Sequence, residues 1–289
     1  MKKKLIFILS SNYSGSHFLS LMLGSHSQGM HLGELKNVYK MGGFDRCYVC
    51  QSGAECELFH GIGKHEIKDL YGFLYTRVGD ETNFLVDASK KPRWFKEFVN
   101  LNDYDIYLIH LVRDPRALAR RWLMRFSEKK TGLRERIKQI RKNPVKAAQL
   151  LLGDSLTVCL YKWISQNRDI VSFIEESGFP YKRVTYKELA TDTDQTLESI
   201  FDWVGLKYEK EQKDYWNFPH HGSQKADYQW INKQGGGTYF DQRWREYLNS
   251  DQINRIESHR DLQIFLKSMA VEFSQEGLEH EGVDSSHNL

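Results

Sequence analysis

Residues 4–23 read KLIFILSSNYSGSHFLSLML, and this stretch decides the fold. Leu5–Leu9 is an apolar run too short for a helix. Ser10, Ser11 and Asn12 stop it, which is the pattern of a buried strand entering a loop. Phe18, Leu19, Leu21, Met22 and Leu23 then form an apolar helical stretch. Between the two lies Ser14-Gly15-Ser16-His17, so strand, Ser/Gly loop and helix follow in order. Exposed backbone N–H groups and the helix dipole at such a helix start favour an anion. Gly15 lets the backbone approach a phosphate closely, and Ser14, Ser16 and His17 add donors. The loop is not a Walker A motif, because Ser10 stands for its first glycine and Ser16 for its lysine. NTP hydrolysis is therefore not expected. Taken alone, SGS can equally be a plain strand-to-helix turn.

Working outward, FLVDAS (84–89) reads as a second strand and IYLIHLV (106–112) as the strongest buried strand, stopped by Arg113-Asp114-Pro115. A helix is expected from about Arg116. Another is expected over Ser155–Ser177, closed by Gly178 and Pro180. Arg183–Tyr186 reads as a short strand, Thr196–Val204 as an amphipathic helix ended by Gly205, and Asp251–Phe273 as one final helix. Strands alternating with helices imply an α/β fold of three layers, a central parallel sheet flanked by helices. The economical organisation is one domain over residues 1–273. It carries an irregular insertion with short helices at about 36–80. Residues 274–289 hold four acids and no Lys or Arg, the composition of a disordered tail.

The whole chain has 289 residues, 40% of them hydrophobic, which supports a substantial core and excludes a disordered chain, a collagen-like repeat or a small disulfide scaffold. Lys2, Lys3 and Lys4 before LIFIL mimic a signal peptide, but the apolar run is too short and no small-residue cleavage site follows. No stretch approaches the ~18–20 apolar residues of a membrane span. A soluble cytoplasmic protein is expected. The formal net charge of +3 argues against a protein that coats nucleic acid with its whole surface, and no nucleic-acid partner is expected. That total hides a gradient. Residues 1–273 carry +7, and Arg113–Lys142 alone hold twelve Lys/Arg against three Asp/Glu.

In open α/β sheets ligands bind beyond the carboxyl ends of the strands. Three such exits are chemically loaded: Ser10–His17, Asp87–Lys91 and Arg113–Arg125. Arg113, directly after the strongest strand, is placed to grip a phosphate bidentately. Arg116 and Arg120 fit a solvated helix face equally well. Cys47, Cys50, Cys56 and His60 form C-x2-C-x5-C-x3-H, which can supply three thiolates and an imidazole to zinc. A reduced, partly buried loop or one disulfide fits the same residues. A second C-x-x-C is absent, and no metal ligand is assigned. His220-His221 suit either an acceptor contact or surface filling. Trp94, Trp163, Trp203 and Trp244 read as core.

These residues resemble the PAPS-dependent sulfotransferases, including their tyrosylprotein, carbohydrate and bacterial branches. In that family a strand ends in a 5′-phosphosulfate loop of the form K/R-S-G-[ST]-[ST], which Ser14-Gly15-Ser16-His17 matches. LIHLVRDPRALARRW (108–122) resembles the strand ending in R-D-P-R, whose arginine binds the 3′-phosphate. VDASKKPRW (86–94), RVTYKELATDTDQTLESIFDWVGL (183–206) and DQRWREYL (241–248) resemble further family stretches in the same order. The resemblance implies a P-loop-like fold and a donor, 3′-phosphoadenosine 5′-phosphosulfate (PAPS), released as PAP. It implies donor contacts from Ser14, Gly15, Ser16, His17, Phe18, Arg113, Arg121 and Arg125, with Tyr186 beside the adenine. The acceptor it implies is a hydroxyl on a glycan, lipid or small metabolite.

Sulfuryl transfer needs a base and cations for the leaving phosphate but no catalytic metal, and in physical logic it is close to phosphoryl transfer. Glu34, in HLGEL, occupies the position of the family's catalytic base, with His31 and His17 as weaker candidates. Lys90 matches the family's lysine before Lys/Asp-Pro and is expected to stabilise charge on the bridging oxygen and compensate for Tyr13, with Lys91 as the fallback. Two departures stand out. Tyr13 replaces the basic residue before S-G, and Arg121 replaces a serine on the 3′-phosphate, although Arg125 matches a second basic position of the tyrosylprotein branch. A nucleotide- or glycan-binding descendant without turnover fits these departures, and a P-loop kinase is disfavoured by the missing lysine.

Overall fold

In the computed structural model the run Leu5–Leu9 lies in the middle strand of a five-stranded, wholly parallel sheet. The structure describes residues 2–43, 47, 49–50, 56–222 and 240–273, so the acidic segment 274–289 lies outside it. The strands β1 (Lys3–Ser10), β2 (Gly29–His31), β3 (Phe84–Lys90), β4 (Tyr104–Val112) and β5 (Tyr181–Thr185) stand in the order β2-β3-β1-β4-β5.

Because side chains alternate along a strand, β1 serves two cores. Leu5, Phe7 and Leu9 join Leu85 and Leu108 on one face, under α2 (Leu35–Met41), α3 (Leu70–Tyr75), α4 (Pro92–Phe95) and α8 (Ser155–Ser177). Ile6 and Ile8 join Val86, Ile109 and Leu111 on the other face, under α1 (Ser16–Gly24) and α10 (Thr193–Val204). Burying each such side chain stabilises by roughly 1.5–3 kcal/mol, so both layers depend on this strand. A third cluster packs α5 (Pro115–Phe126) on α8 and on the helices Trp244–Tyr247, Ser250–Glu257 and Arg260–Ser268, with α6 (Lys129–Lys142) and α7 (Ala147–Leu152) between α5 and α8 in the chain. The three-layer α/β arrangement agrees with the sequence.

Strand order reverses at β1: the chain runs first to β2 and β3 on one side, then to β4 and β5 on the other. The crevice beyond the ends of β1 and β4 is therefore the switch point at which such sheets bind ligands. At the end of β4, Asp114 caps α5 by accepting from Arg116 N at 2.7 Å, and Pro115 fills the first turn, where its missing N–H costs nothing.

Several local readings are corrected. β5 ends at Thr185, which forms a capping box with Glu188, so Tyr186 opens helix α9 (Tyr186–Thr191) and does not end a strand. The final helix is two, because His259 accepts from Leu262 N and caps a fresh start at Arg260. Arg116 is buried, not solvated, between Asp114 and Glu257 and 4.3 Å from the Trp244 ring centroid. Trp94, Trp163 and Trp244 are core residues, while Trp203 is only partly buried. Near the cysteines the partner histidine is His221, and His60 is exposed.

Asp87 fixes the exit of β3. Its buried carboxylate accepts from Tyr71 Oη and Trp94 Nε1 at 2.8 Å each, and from Ser89 N at 2.8 Å and Ser89 Oγ at 2.5 Å. Ser89 Oγ in turn accepts from Lys36 N at 2.9 Å, which ties the start of α2 to β3. Burial pushes the Asp87 carboxyl above its ordinary range, and these donors oppose the rise. Asp87→Ala leaves buried donors unpaired and should destabilise the fold by about 2–4 kcal/mol in urea unfolding. A change under about 0.5 kcal/mol, the range of a neutral surface substitution, would contradict this anchoring role.

Candidate active site

The loop after β1 turns by left-handed backbone at Tyr13 (φ 72°) and Gly15 (φ 93°). A Cβ on Gly15 would lie 2.6 Å from Tyr186 Cδ2, so no larger residue fits against the edge of that ring. Gly15 caps α1, which has no acidic residue in its first turn, leaving the positive end of the helix uncompensated. The Ser14 and Ser16 hydroxyls are buried and have no hydrogen-bond partner among the described residues. Buried hydroxyls of this kind are donors awaiting an acceptor. His17 sits beside them, its ring 5.1 Å from that of His31. The Phe18 side chain points into the core, 5.6 Å from Tyr215.

Arg113 reaches the same place from β4. Its Cζ stands 4.1 Å from the Tyr186 ring centroid, Nη1 donates to Tyr13 O at 2.7 Å and Nη2 pairs with Asp241 at 2.9 Å. Trp163 Nε1 holds the Arg113 carbonyl at 2.9 Å. Burial pushes the Asp241 carboxyl up, but Arg243 hydrogen bonds and the Arg113 charge outweigh it and hold it well below the usual carboxylate range. Asp241 is therefore ionised at neutral pH and would compete with a phosphate for Arg113. Sequence reasoning missed it, since nothing local marks an aspartate 128 residues from its partner. A cleft opens here, lined by Arg113, Tyr186, Lys187, Phe240, Asp241 and Trp244.

The two departures at Tyr13 and Arg121 are one contact. Arg121 lies 4.9 Å from the Tyr13 ring centroid, and Arg125 Nη1 donates to Tyr13 Oη at 2.6 Å. Arg121 and Arg125 are exposed on α5, so Tyr13 holds two cations beside the loop that lacks its own.

Across the loop, Glu34 and Lys90 form an ion pair, and Asn37 Nδ2 donates to Glu34 Oε2 at 2.8 Å. Lys90 takes left-handed backbone at φ 69°, a costly conformation for a residue with a side chain, of the kind found at functional sites. His31 is buried, with Nδ1 2.6 Å from Ser20 Oγ. Burial first, then the neighbouring His17 and His220, lower its pKa well below the ordinary value, so at pH 7 it is neutral.

Burial, joined by Lys90, Lys138 and Lys162 against the pull of Glu34, lowers Lys91 from its ordinary 10.5 to about 8. A lysine depressed on folding costs stability in full below pH 8, and the cost fades as pH rises to 10.5. Lys91→Met should therefore be more stable than the parent at pH 7.5, by of order 2–4 kcal/mol, with the gap narrowing by pH 9.5. Urea midpoints at the two pH values measure it, and a gap that does not narrow would contradict the assignment.

Comparison with known proteins bears on this geometry. The chain is similar in structure to the sulfotransferase domain from the curacin biosynthetic pathway, at 18% identity and a TM-score of 0.55, over 94% of this chain and 99% of that one. It is also similar to the sulfotransferase domain from the Synechococcus PCC 7002 olefin synthase, at 16% identity and a TM-score of 0.50, over 95% and 98% of the two chains. At such identities the likeness shows a shared fold. No curated protein matches the chain. Among the described residues no helix is long and apolar enough to cross a membrane. A family model described as the sulfotransferase family matches residues 6–210, more than half of the chain, and the chain belongs to that family.

Proposed function

We propose that this chain transfers a sulfuryl group from PAPS to a hydroxyl acceptor. One observation carries the reading. Gly15 and Arg113, drawn from distant segments, both meet the ring of Tyr186, Gly15 at its Cδ2–Cε2 edge and Arg113 over a face. An anion-favouring helix start, a guanidinium and an aromatic ring thus come together, which supports a site for a nucleotide with phosphates at both ends of its ribose.

The residues present fit that donor. The amides at the start of α1, with the partnerless hydroxyls of Ser14 and Ser16, suit the 5′-phosphate. Arg113 suits the 3′-phosphate on giving up Asp241, and Tyr186 suits the adenine face. Arg121 and Arg125, held by Tyr13, supply the positive charge that the loop itself lacks. Bound PAPS supplies the sulfuryl group that is transferred. Glu34 takes the proton from the acceptor hydroxyl as its oxygen bonds to sulfur. Lys90 neutralises the charge that collects on the departing phosphate oxygen. The ion pair between them, anchored through Ser89 and Asp87, holds both groups at the exit of β3, next to the end of β1. No step in this scheme uses a metal.

PAP should raise the melting temperature by several degrees where ATP does not, and Glu34→Gln should keep that shift while losing at least a hundredfold in turnover, the usual scale for a general base. Stabilisation by ATP alone would remove the sulfotransferase reading. Undiminished turnover in Glu34→Gln, followed with radiolabelled sulfate, would remove Glu34 as the base.

A further inference from the structure

Away from the cleft, four side chains that could bind metal converge. Cys47, Cys50 and Cys56 each place Sγ 3.5 Å from one atom, Nδ1 of His221, which lies 165 or more residues further along the chain. Cys50 Sγ and Cys56 Sγ are 4.0 Å apart, and all four ligand atoms lie within 4.8 Å of one another. These contacts cannot be three hydrogen bonds, since an imidazole Nδ1 carries either one hydrogen or one lone pair. Nor is this a disulfide, because every cysteine is free and a bridge needs sulfurs about 2.05 Å apart.

A tetrahedral centre explains the distances. With zinc–sulfur bonds of about 2.3 Å and zinc–nitrogen bonds of about 2.0–2.1 Å, the sulfur–nitrogen edges are about 3.5 Å and the sulfur–sulfur edges about 3.8 Å. Three equal contacts of 3.5 Å to nitrogen and one of 4.0 Å between sulfurs fall on those edges. Cys47 and Cys56 are fully buried, and Cys50 and His221 are half-buried. Three soft thiolates and one imidazole in a tetrahedron select zinc among common divalent ions, and four protein ligands leave no open position for chemistry.

We infer that Cys47, Cys50, Cys56 and His221 bind a structural zinc ion that clips the segment around the cysteines to the segment after Asn217. The consequence reaches the cleft without touching it. His220, next to the ligand, donates from Nε2 to Tyr215 O at 2.9 Å, and its ring lies 5.6 Å from that of His31. His31 in turn stands beside His17 of the loop. The clip thus fixes the outer member of a row of three imidazoles that ends at the loop after β1. His60 takes no part: its backbone N–H bonds Cys56 O at 2.7 Å in the turn that follows, and it is exposed.

The inference is independent of the proposed reaction. Elemental analysis of the full chain, purified with zinc in the growth medium, should find one zinc per chain. Zinc-edge X-ray absorption should find three sulfur neighbours at about 2.3 Å and one nitrogen at about 2.0–2.1 Å, a readout that needs no variant to fold. His221→Ala should lose zinc at least tenfold, His221→Cys should keep it with four sulfurs, and His60→Ala should keep it unchanged. A zinc content under one tenth per chain, a disulfide among the three cysteines, another metal at full occupancy, or zinc lost in His60→Ala but kept in His221→Ala would each overturn the assignment.

Discussion

The contact between Gly15 and Tyr186 governs the rest of the site. A glycine with positive φ lets the loop pass directly against the edge of an aromatic ring, and the ring occupies the space a side chain would need. Tyr186 is held there from the other direction by the capping box at Thr185, which ends β5 and starts α9 in the same step. Arg113 covers one face of the ring, braced by Trp163 and Asp241. The ends of β1, β4 and β5 are thereby locked together at the switch point of the sheet.

Charge at this site is arranged through pairs. Arg113 is matched by Asp241, Lys90 by Glu34 and Arg116 by Asp114 and Glu257. Arg121 and Arg125 instead meet the Tyr13 ring and hydroxyl, which are neutral, so their charge stays available near the loop. Arg116 is committed to the fold through two carboxylates, whereas Arg113 and Lys90 must exchange a carboxylate to meet an anionic ligand and Arg121 and Arg125 need not. The run of basic residues after β4 serves both purposes, which a count of charges does not reveal.

Much of this was legible in the sequence because central parallel strands are buried on both faces and read as continuous apolar runs. β1, β3, β4 and the long helix Ser155–Ser177 stand where those runs lie. The three strand exits also come together as expected, since topology brings the ends of neighbouring parallel strands to one edge. What was not legible depends on long-range or local polar bonds. β2 has three residues and no period to detect. The break at His259 is made by one side-chain acceptor. Arg116 looks solvated until Glu257 closes over it, and His60, near the cysteines in sequence, is displaced by His221 because folding and not spacing decides which imidazole arrives.

The central claim is that the Gly15 loop, Arg113 and Tyr186 form one nucleotide site. Calorimetric titration of PAP into Gly15→Ala and the parent chain tests it most directly, because the added Cβ falls 2.6 Å from Tyr186 Cδ2 while leaving every charged group in place. At least a tenfold loss of PAP affinity is expected in a variant that remains folded. Unchanged affinity in folded Gly15→Ala would contradict it.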